Sequence, residues 1–426
     1  MTHNPSTAAQ PKQSAPAAQR QPAKPRRAGQ TANPPDTRTP QQRVRIGSPL
    51  TLLAVVPGLL GFEPANSIVV LGTGQPGAEV QLTLRYDLPG PAAPRGAAAI
   101  ADGVTNILTV QHITTAAAVA YGPDSAVAPV ADALRARAAE AGITLTEVLR
   151  AEGGRYWSYV CSNPRCCPPE GTPFDLADHP VARAFAASGR RVLASRQELA
   201  ATIAPADGDQ AAAMRLATRK AERQLTTRVG QTAGVSRRVA RRRLVAAVGQ
   251  PMIVDAISRY RAGNTLGPEP AAWLTVALRE LRVRDDAWAR MLPEYNAAHT
   301  RLWADLTRLA QPGYVAAPAS LLAFVAWQQG DGALANLALD RALADDPRYS
   351  MAQLLRQVIA AGAPPSMARL PMTPEEVAAS YDDQETGTTG HIPDVDEAEN
   401  HTGAGLAPIV AIPPMATASR RVRRNQ

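Results

Sequence analysis

Hydrophobic and polar positions change period repeatedly between residues 46 and 205. Ser67–Gly72 (SIVVLG) is an apolar run that predicts a buried strand, and Val80–Tyr86 alternates with a period of two, which predicts a strand with one buried face. Ser48-Pro49 predicts a helix start. Later patterns predict helices at 95–111, 124–142 (capped by Asp124) and 180–189, and strands at 113–122, 143–153 and 154–161. Because strands and helices alternate, residues 45–205 are predicted to form one α/β domain with a mixed sheet.

The segment between the first two strands, Gly72–Gly77 (GTGQPG), matches the dinucleotide-binding spacing G-x-G-x-x-G. That motif requires a helix directly after the glycines, so that the helix N-terminus faces the pyrophosphate. Here the next segment has the period of a strand and Pro76 lies inside the loop. The sequence therefore favours a β-hairpin loop over a nucleotide site.

From Asp207 onward the strand patterns stop and helical patterns follow one another. We predict a basic helical connector over 206–248 and an all-helical domain over 249–365. Residues 1–44 and 366–426 are rich in polar residues and proline and carry few apolar anchors, so both are predicted to be disordered tails.

The chain has 426 residues and a net charge of +8, with a pI near 9.7. Part of that charge lies in Arg215–Leu244, which contains ten Lys or Arg residues and one acid, Glu222. Such a run indicates either solvated helices between two domains or a surface for nucleic acid or an acidic partner. No aromatic residue occurs within it. The candidate basic patch comprises Arg237, Arg238, Arg241, Arg242 and Arg243.

The most apolar run, Pro49–Phe62, is too short to span a bilayer and is interrupted by Pro57 and Gly58. It follows more than forty mostly polar residues, which does not fit a signal peptide. We therefore predict a cytoplasmic protein without a membrane segment, in which cysteines are reduced.

All three cysteines lie within seven residues, at Cys161, Cys166 and Cys167. With His179 they would supply four zinc ligands, but neighbouring side chains on an extended chain point in opposite directions, and Pro168 favours that extended form. We therefore expect no metal ion and no cofactor. A reactive thiol would need a nearby cation, such as Arg155 or Arg165.

A structural turn is the favoured interpretation of the cysteine segment, because four prolines restrict φ between residues 164 and 173 and Gly171 suits the end of a tight turn. Tyr156, Trp157 and Tyr159 precede it; on a strand, Trp157 and Tyr159 share a face. They indicate either core anchors or a ligand-stacking wall. The candidate site loop comprises Cys161, Cys166, Cys167, Pro168, Gly171, Trp157, Tyr159 and Arg155.

Three motifs resemble an actinobacterial domain-of-unknown-function family, number 4192: Leu52–Gly72, Gly154–Asp175 and Leu281–Met291. The resemblance implies a soluble protein in two parts and no assigned activity or catalytic residues. Separately, Leu321–Tyr349 resembles a single tetratricopeptide repeat, a helical hairpin with a turn at Gly330-Asp331 and a stop at Asp346-Pro347.

The sequence contains no H-E-x-x-H, P-loop or G-x-S-x-G motif. We therefore expect a non-catalytic binding protein with an unknown protein partner, although enzymatic activity stays open. One alternative is a thiol- or ligand-dependent enzyme centred on Cys161–Gly171. The other is a nucleic-acid-binding protein that uses Arg215–Arg243.

Overall fold

The structure is a computed structural model, and it describes residues 47–74, 79–90, 95–188, 191–367 and 372–386. The predicted N-terminal tail lies outside these ranges, as does the chain beyond residue 386. Among the helices described, none combines the length and the apolar character needed to cross a membrane.

The first part of the chain is an α/β arrangement around a six-stranded sheet. Its strands are β1 (Ser67–Thr73), β2 (Val80–Asp87), β3 (Thr115–Tyr121), β4 (Thr144–Glu152), β5 (Arg155–Ser158) and β6 (Thr172–Pro173), in the order β2-β1-β3-β4-β5-β6. β3 and β4 are parallel and all other pairs are antiparallel, which confirms the predicted mixed sheet. β1 and β2 pair as the predicted hairpin; residues 75–78 of its loop lie outside the described residues.

Five helices accompany the sheet: α1 (Pro49–Leu60), α2 (Gly96–Val110), α3 (Asp124–Glu140), α4 (Pro180–Ala187) and α5 (Arg196–Ala201). The Ser48 hydroxyl caps α1 as predicted. The prediction that Asp124 caps α3 is wrong: Pro123 holds the cap position, and Asp124 is the first helical residue.

In the described part of the chain nine further α-helices follow: α6 (Gly208–Gln231), α7 (Arg237–Arg261), α8 (Pro268–Ala277), α9 (Leu281–Ala289), α10 (Asn296–Leu309), α11 (Ala316–Gln328), α12 (Gly332–Asp345), α13 (Ser350–Ala360) and α14 (Pro374–Thr386). This all-helical second part confirms the predicted fold class. Residues 206–248, predicted as a connector, form α6 and the first half of α7, and both helices contribute buried residues to the core.

The α14 helix lies inside the segment predicted to be disordered, so that prediction does not hold for Pro374–Thr386. Val377 is buried, and the Tyr381 hydroxyl donates a 2.6 Å hydrogen bond to the carboxylate of Asp285 on α9. Asp285 is distant from α14 in sequence, so the local composition of the tail does not reveal this contact.

Two hydrophobic cores sandwich the sheet. Ile68, Val70 and Val148 face α2 and α3 in one core, whereas Val69, Val119 and Leu149 belong to a second core that includes α1 and the helices of the second part. Each side chain of this size stabilises the fold by about 1.5–3 kcal/mol when fully buried. Because both faces are covered, all seven residues of β1 are buried, whereas β2 at the edge of the sheet has an alternating sequence and is mostly half-buried.

Candidate functional site

The cysteine loop follows a tight hairpin at one edge of the sheet. Gly153 and Gly154 both have positive φ angles, at 55° and 72°, and they turn β4 into β5 as the sequence predicts. β5 ends at Ser158, and the chain returns to the sheet at β6. The loop between β5 and β6 is therefore anchored at both ends.

The three cysteine sulfurs converge on one point of this loop. All three lie within 4.8 Å of one another, and the Sγ atoms of Cys161 and Cys166 are 3.2 Å apart. The carbonyl oxygen of Asn163 accepts hydrogen bonds from the backbone N–H groups of both Cys166 (3.2 Å) and Cys167 (2.8 Å), so the chain turns here instead of extending. The expectation that the adjacent cysteines point apart is therefore wrong.

His179 and Arg155, by contrast, do not join the sulfur cluster. His179 caps α4, where its Nδ1 accepts a hydrogen bond from the N–H of Val181. The Arg155 guanidinium donates to the carbonyl oxygens of Gly171 (2.8 Å) and Glu170 (3.3 Å). Arg155 therefore fastens the far end of the loop. His179 does not lie among the sulfurs as a fourth ligand, and Arg155 does not contact a thiol as an activating cation.

Trp157 is the main brace of the loop. Its indole N–H donates to the carbonyl oxygen of Pro169 at 2.9 Å, and the guanidinium of Arg150 lies 3.6 Å from the centre of its ring. The backbone closes a turn beneath it through a hydrogen bond from the N–H of Gly171 to the carbonyl of Pro168. Gly171 has φ of +80°, and a Cβ there would lie 2.5 Å from Trp157. Glycine is therefore required both for the conformation and for the contact.

Tyr159 links the start of the loop to α3. Its hydroxyl donates a 2.7 Å hydrogen bond to the carboxylate of Asp124, which also lies 3.6 Å from the guanidinium of Arg150. Burial, followed by the bond to Asp124, raises the pKa of Tyr159. Tyr156 instead packs against Phe174, with ring centres 6.2 Å apart. All three aromatic side chains are half-buried, and each contacts a neighbouring segment of the chain.

Mutual hydrogen bonds and burial shift the pKa values of the three thiols in different directions. Hydrogen bonds from Cys167 and then Cys166 lower the pKa of Cys161. Its bond to Cys161 raises the pKa of Cys166, and desolvation, followed by the bonds to the other two sulfurs, raises the pKa of Cys167 to about 12. The backbone N–H of Cys161 donates a hydrogen bond to the hydroxyl oxygen of Ser158, and this hydroxyl donates to the carboxylate of Glu147.

A second candidate site is a groove of about 440 Å³ on α6. Arg215, Arg219 and Arg223 line one side; all three are exposed, and none has a carboxylate within ion-pair distance in the described part of the chain. They recur every four residues, which places them about 6 Å apart along the helix axis. Thr218 lies at the base of the groove, where its hydroxyl is buried without a hydrogen-bond partner among the described residues.

Tyr314, from the connection between α10 and α11, forms the opposite wall with Gln311. The Tyr314 hydroxyl donates a 2.9 Å hydrogen bond to Glu222, whose other oxygen lies 3.4 Å from Arg241. Burial and the bond to Glu222 raise the pKa of Tyr314. The one carboxylate in the groove is therefore already engaged, and it fixes the tyrosine beside the arginines.

The predicted basic patch lies at the start of α7, and its five arginines differ in exposure. Arg237, Arg238, Arg242 and Arg243 are exposed, but Arg241 is half-buried between Glu222 and Glu280. Sequence reasoning did not identify Tyr314 as the aromatic partner of the basic stretch, because the two are some ninety residues apart and only the fold brings them together.

A smaller cleft of about 280 Å³ opens at the carboxyl ends of the parallel strands β3 and β4. Asn66, which has a φ of +44°, and Tyr121 line it. Burial raises the pKa of the nearby Glu63 and of Tyr121, whose buried hydroxyl has no hydrogen-bond partner among the described residues. This is the edge at which α/β sheets commonly bind ligands.

Comparison with known proteins identifies a family but no characterised relative. No curated protein and no solved structure matches the chain. One family model, described as a domain of unknown function (DUF4192), matches residues 49–366, which contain the sheet, the cysteine loop and the arginine groove. The chain therefore belongs to the DUF4192 family.

Proposed function

We propose that this protein is a non-catalytic binding protein and that its ligand is single-stranded nucleic acid, bound in the groove on α6. The observation that carries the proposal is the row of three exposed arginines, Arg215, Arg219 and Arg223, which have no carboxylate partner among the residues that the structure describes. Unpaired arginines held side by side on a rigid helix favour an anionic ligand. Their planar guanidinium groups suit phosphate oxygens, which they contact in pairs.

The tyrosine favours nucleic acid over an acidic protein. Surfaces for single strands combine a basic groove along the backbone with an aromatic ring on which a base stacks. Tyr314 is held beside the arginines by Glu222, and the guanidinium of Arg279 lies 5.3 Å from the centre of its ring. The regular spacing of the arginines along α6 also fits a ligand with a repeating charge.

The chemistry of the groove is that of binding rather than of acid–base catalysis. Its only carboxylate, Glu222, accepts a hydrogen bond from Tyr314 and forms an ion pair with Arg241. Arginine side chains stay protonated in proteins and therefore do not serve as general bases. A cytoplasmic location is part of this proposal, as is an actinobacterial origin, which the family resemblance suggests.

A protein partner bound to the repeat-like hairpin is the less favoured alternative. The tetratricopeptide-like character of Leu321–Tyr349 stays a prediction; that segment spans most of α11 and all of α12. Every residue from Ala316 to Trp327 on α11 is buried, so this helix packs against its neighbours and offers little surface to a partner. This burial argues against α11 as the binding surface.

The proposal is tested by fluorescence anisotropy with a labelled oligothymidine of about 12 nucleotides, a length within the range that single-strand modules cover. The full chain is compared with the triple variant Arg215→Ala, Arg219→Ala, Arg223→Ala. A control variant, Arg135→Ala, Arg137→Ala, Arg183→Ala, removes the same charge from exposed positions on α3 and α4. We expect the groove variant to weaken binding at least about tenfold, or about 1.4 kcal/mol, and the control to change it little.

Equal weakening by the two triple variants would show that net charge rather than the groove holds the strand, and would refute the site. Tighter binding of a polyglutamate peptide than of the oligonucleotide would refute the nucleic-acid ligand in favour of an acidic protein. Tighter binding of a duplex than of the single strand would refute the proposal that a base stacks on Tyr314.

A further inference from the structure

The cysteine cluster has a geometry close to that of a metal site. Zinc binds thiolate sulfur at about 2.3 Å, so two sulfurs on a tetrahedral ion are about 3.8 Å apart. The three sulfurs lie within 4.8 Å of one another, and those of Cys161 and Cys166 are 3.2 Å apart. Each pairwise distance therefore needs to change by about 1 Å or less to fit one ion.

The loop holds these sulfurs in place before any ion arrives. Backbone hydrogen bonds to Asn163 and to the Ser158 hydroxyl fix the two arms that carry the cysteines. Trp157 and Arg155 fasten the segment beyond Cys167. Because these groups are already ordered, an ion would bind without a large further loss of chain entropy.

We propose that Cys161, Cys166 and Cys167 form a binding site for one Zn²⁺ ion, held by three thiolates with its fourth position open. Soft thiolate ligands select zinc over the hard cations Mg²⁺ and Ca²⁺. Among the residues that the structure describes, no fourth His, Cys, Asp or Glu side chain joins the cluster. Cys166 is exposed, so solvent or a ligand reaches the remaining position.

The convergence of three sulfurs distinguishes this site from a disulfide. A bond between Cys161 and Cys166 would engage two sulfurs and leave the third without a role, although Cys167 lies in the same cluster. An ion uses all three equally.

Metal content tests the proposal on the full chain, prepared under reducing conditions, loaded with Zn²⁺ and dialysed. Elemental analysis should give one zinc per chain, and Co²⁺ in its place should give the thiolate-to-cobalt charge-transfer absorption of a three-sulfur site. Each of Cys161→Ser, Cys166→Ser and Cys167→Ser should weaken zinc binding by more than about 100-fold, because loss of an outer-shell partner alone costs about 10–100-fold.

Two substitutions serve as matched controls. Ser162→Ala alters an exposed side chain within the same loop, and His179→Ala removes the imidazole that the sequence offers as a fourth ligand. Both should bind zinc as tightly as the unaltered chain. Loss of zinc in His179→Ala would overturn the ligand set.

Other results would overturn the site itself. These are a zinc content well below one per chain, zinc binding that survives all three cysteine substitutions, or an intact mass two hydrogens below that of the fully reduced chain, which shows a disulfide that persists under reducing conditions. If a cysteine variant fails to fold, the cobalt spectrum of the unaltered chain still decides the matter, because its intensity reports the number of bound thiolates.

Discussion

Replacing Gly171 with alanine would displace Trp157 and loosen the cysteine loop. The new Cβ would lie 2.5 Å from the indole, a distance at which the ring has to move. The ring would then lose its hydrogen bond to the carbonyl of Pro169 and its contact with the guanidinium of Arg150. A residue with a Cβ at position 171 would also be strained, because φ is +80° there.

The magnitude follows from these three losses. The left-handed conformation costs about 1–2 kcal/mol for a residue with a Cβ. The hydrogen bond contributes about 0.5–1.5 kcal/mol, and the cation–π contact about 0.5–1 kcal/mol at an exposed site. Gly171→Ala should therefore lower the free energy of unfolding by about 2–4.5 kcal/mol.

Gly142 provides a matched control for this substitution. Its φ is +69°, but no atom lies within 4 Å of the place a Cβ would occupy. Gly142→Ala therefore carries only the conformational cost of about 1–2 kcal/mol. The lower entropy of the unfolded chain, which favours alanine, affects both variants alike.

Urea unfolding measures the two free energies, and the rate of reaction of the three thiols with Ellman's reagent reports the looseness of the loop. We expect Gly171→Ala to lose more stability than Gly142→Ala and to be the only one of the two that speeds the thiol reaction. Equal losses of stability with unchanged thiol rates would refute the role of Trp157 as the brace.

Two further predictions concern the helical part. Burial lowers the pKa of His299 to about 4, below its value of about 6.5 in the unfolded chain. As the pH falls, the unfolded chain therefore binds a proton at His299 before the folded chain does. The free energy of unfolding should fall by up to about 3 kcal/mol between about pH 6.5 and pH 4. Urea unfolding at several pH values should show this loss to be smaller in His299→Leu, and an unchanged loss would contradict the burial of His299. Tyr381→Phe leaves a buried oxygen of Asp285 unpaired and should cost about 1–3 kcal/mol. Hydrogen exchange of α14 should quicken with it, and unaltered exchange would mean that Tyr381 does not anchor the helix.

The order of strands and helices could be predicted because it depends on local patterns. β1 is a continuous apolar run because both of its faces are buried, and β4 and β5 are joined at Gly153-Gly154 because glycine accepts positive φ. The parallel pairing of β3 with β4 and the position of β1 beside β3 depend on contacts between distant segments, which a single sequence does not specify.

The candidate sites were harder to predict for the same reason. The cysteine segment was identified from its composition, but the direction of Cys166 and Cys167 depends on a turn at Asn163 that the nearby prolines obscure. The basic stretch was also identified. Its aromatic wall, Tyr314, and the pairing of Arg241 with Glu222 come from the packing of α6 against later parts of the chain.

The salt dependence of oligonucleotide binding tests the proposed function most directly. Each phosphate neutralised on a single strand contributes about −0.7 to the slope of log K against log salt concentration. Three groove arginines therefore predict a slope of about −2 or steeper for the full chain. For the triple variant Arg215→Ala, Arg219→Ala, Arg223→Ala, the magnitude of the slope should be smaller by about 2. Identical slopes for the two proteins, or no binding by the full chain at low salt, would contradict a nucleic-acid site in this groove.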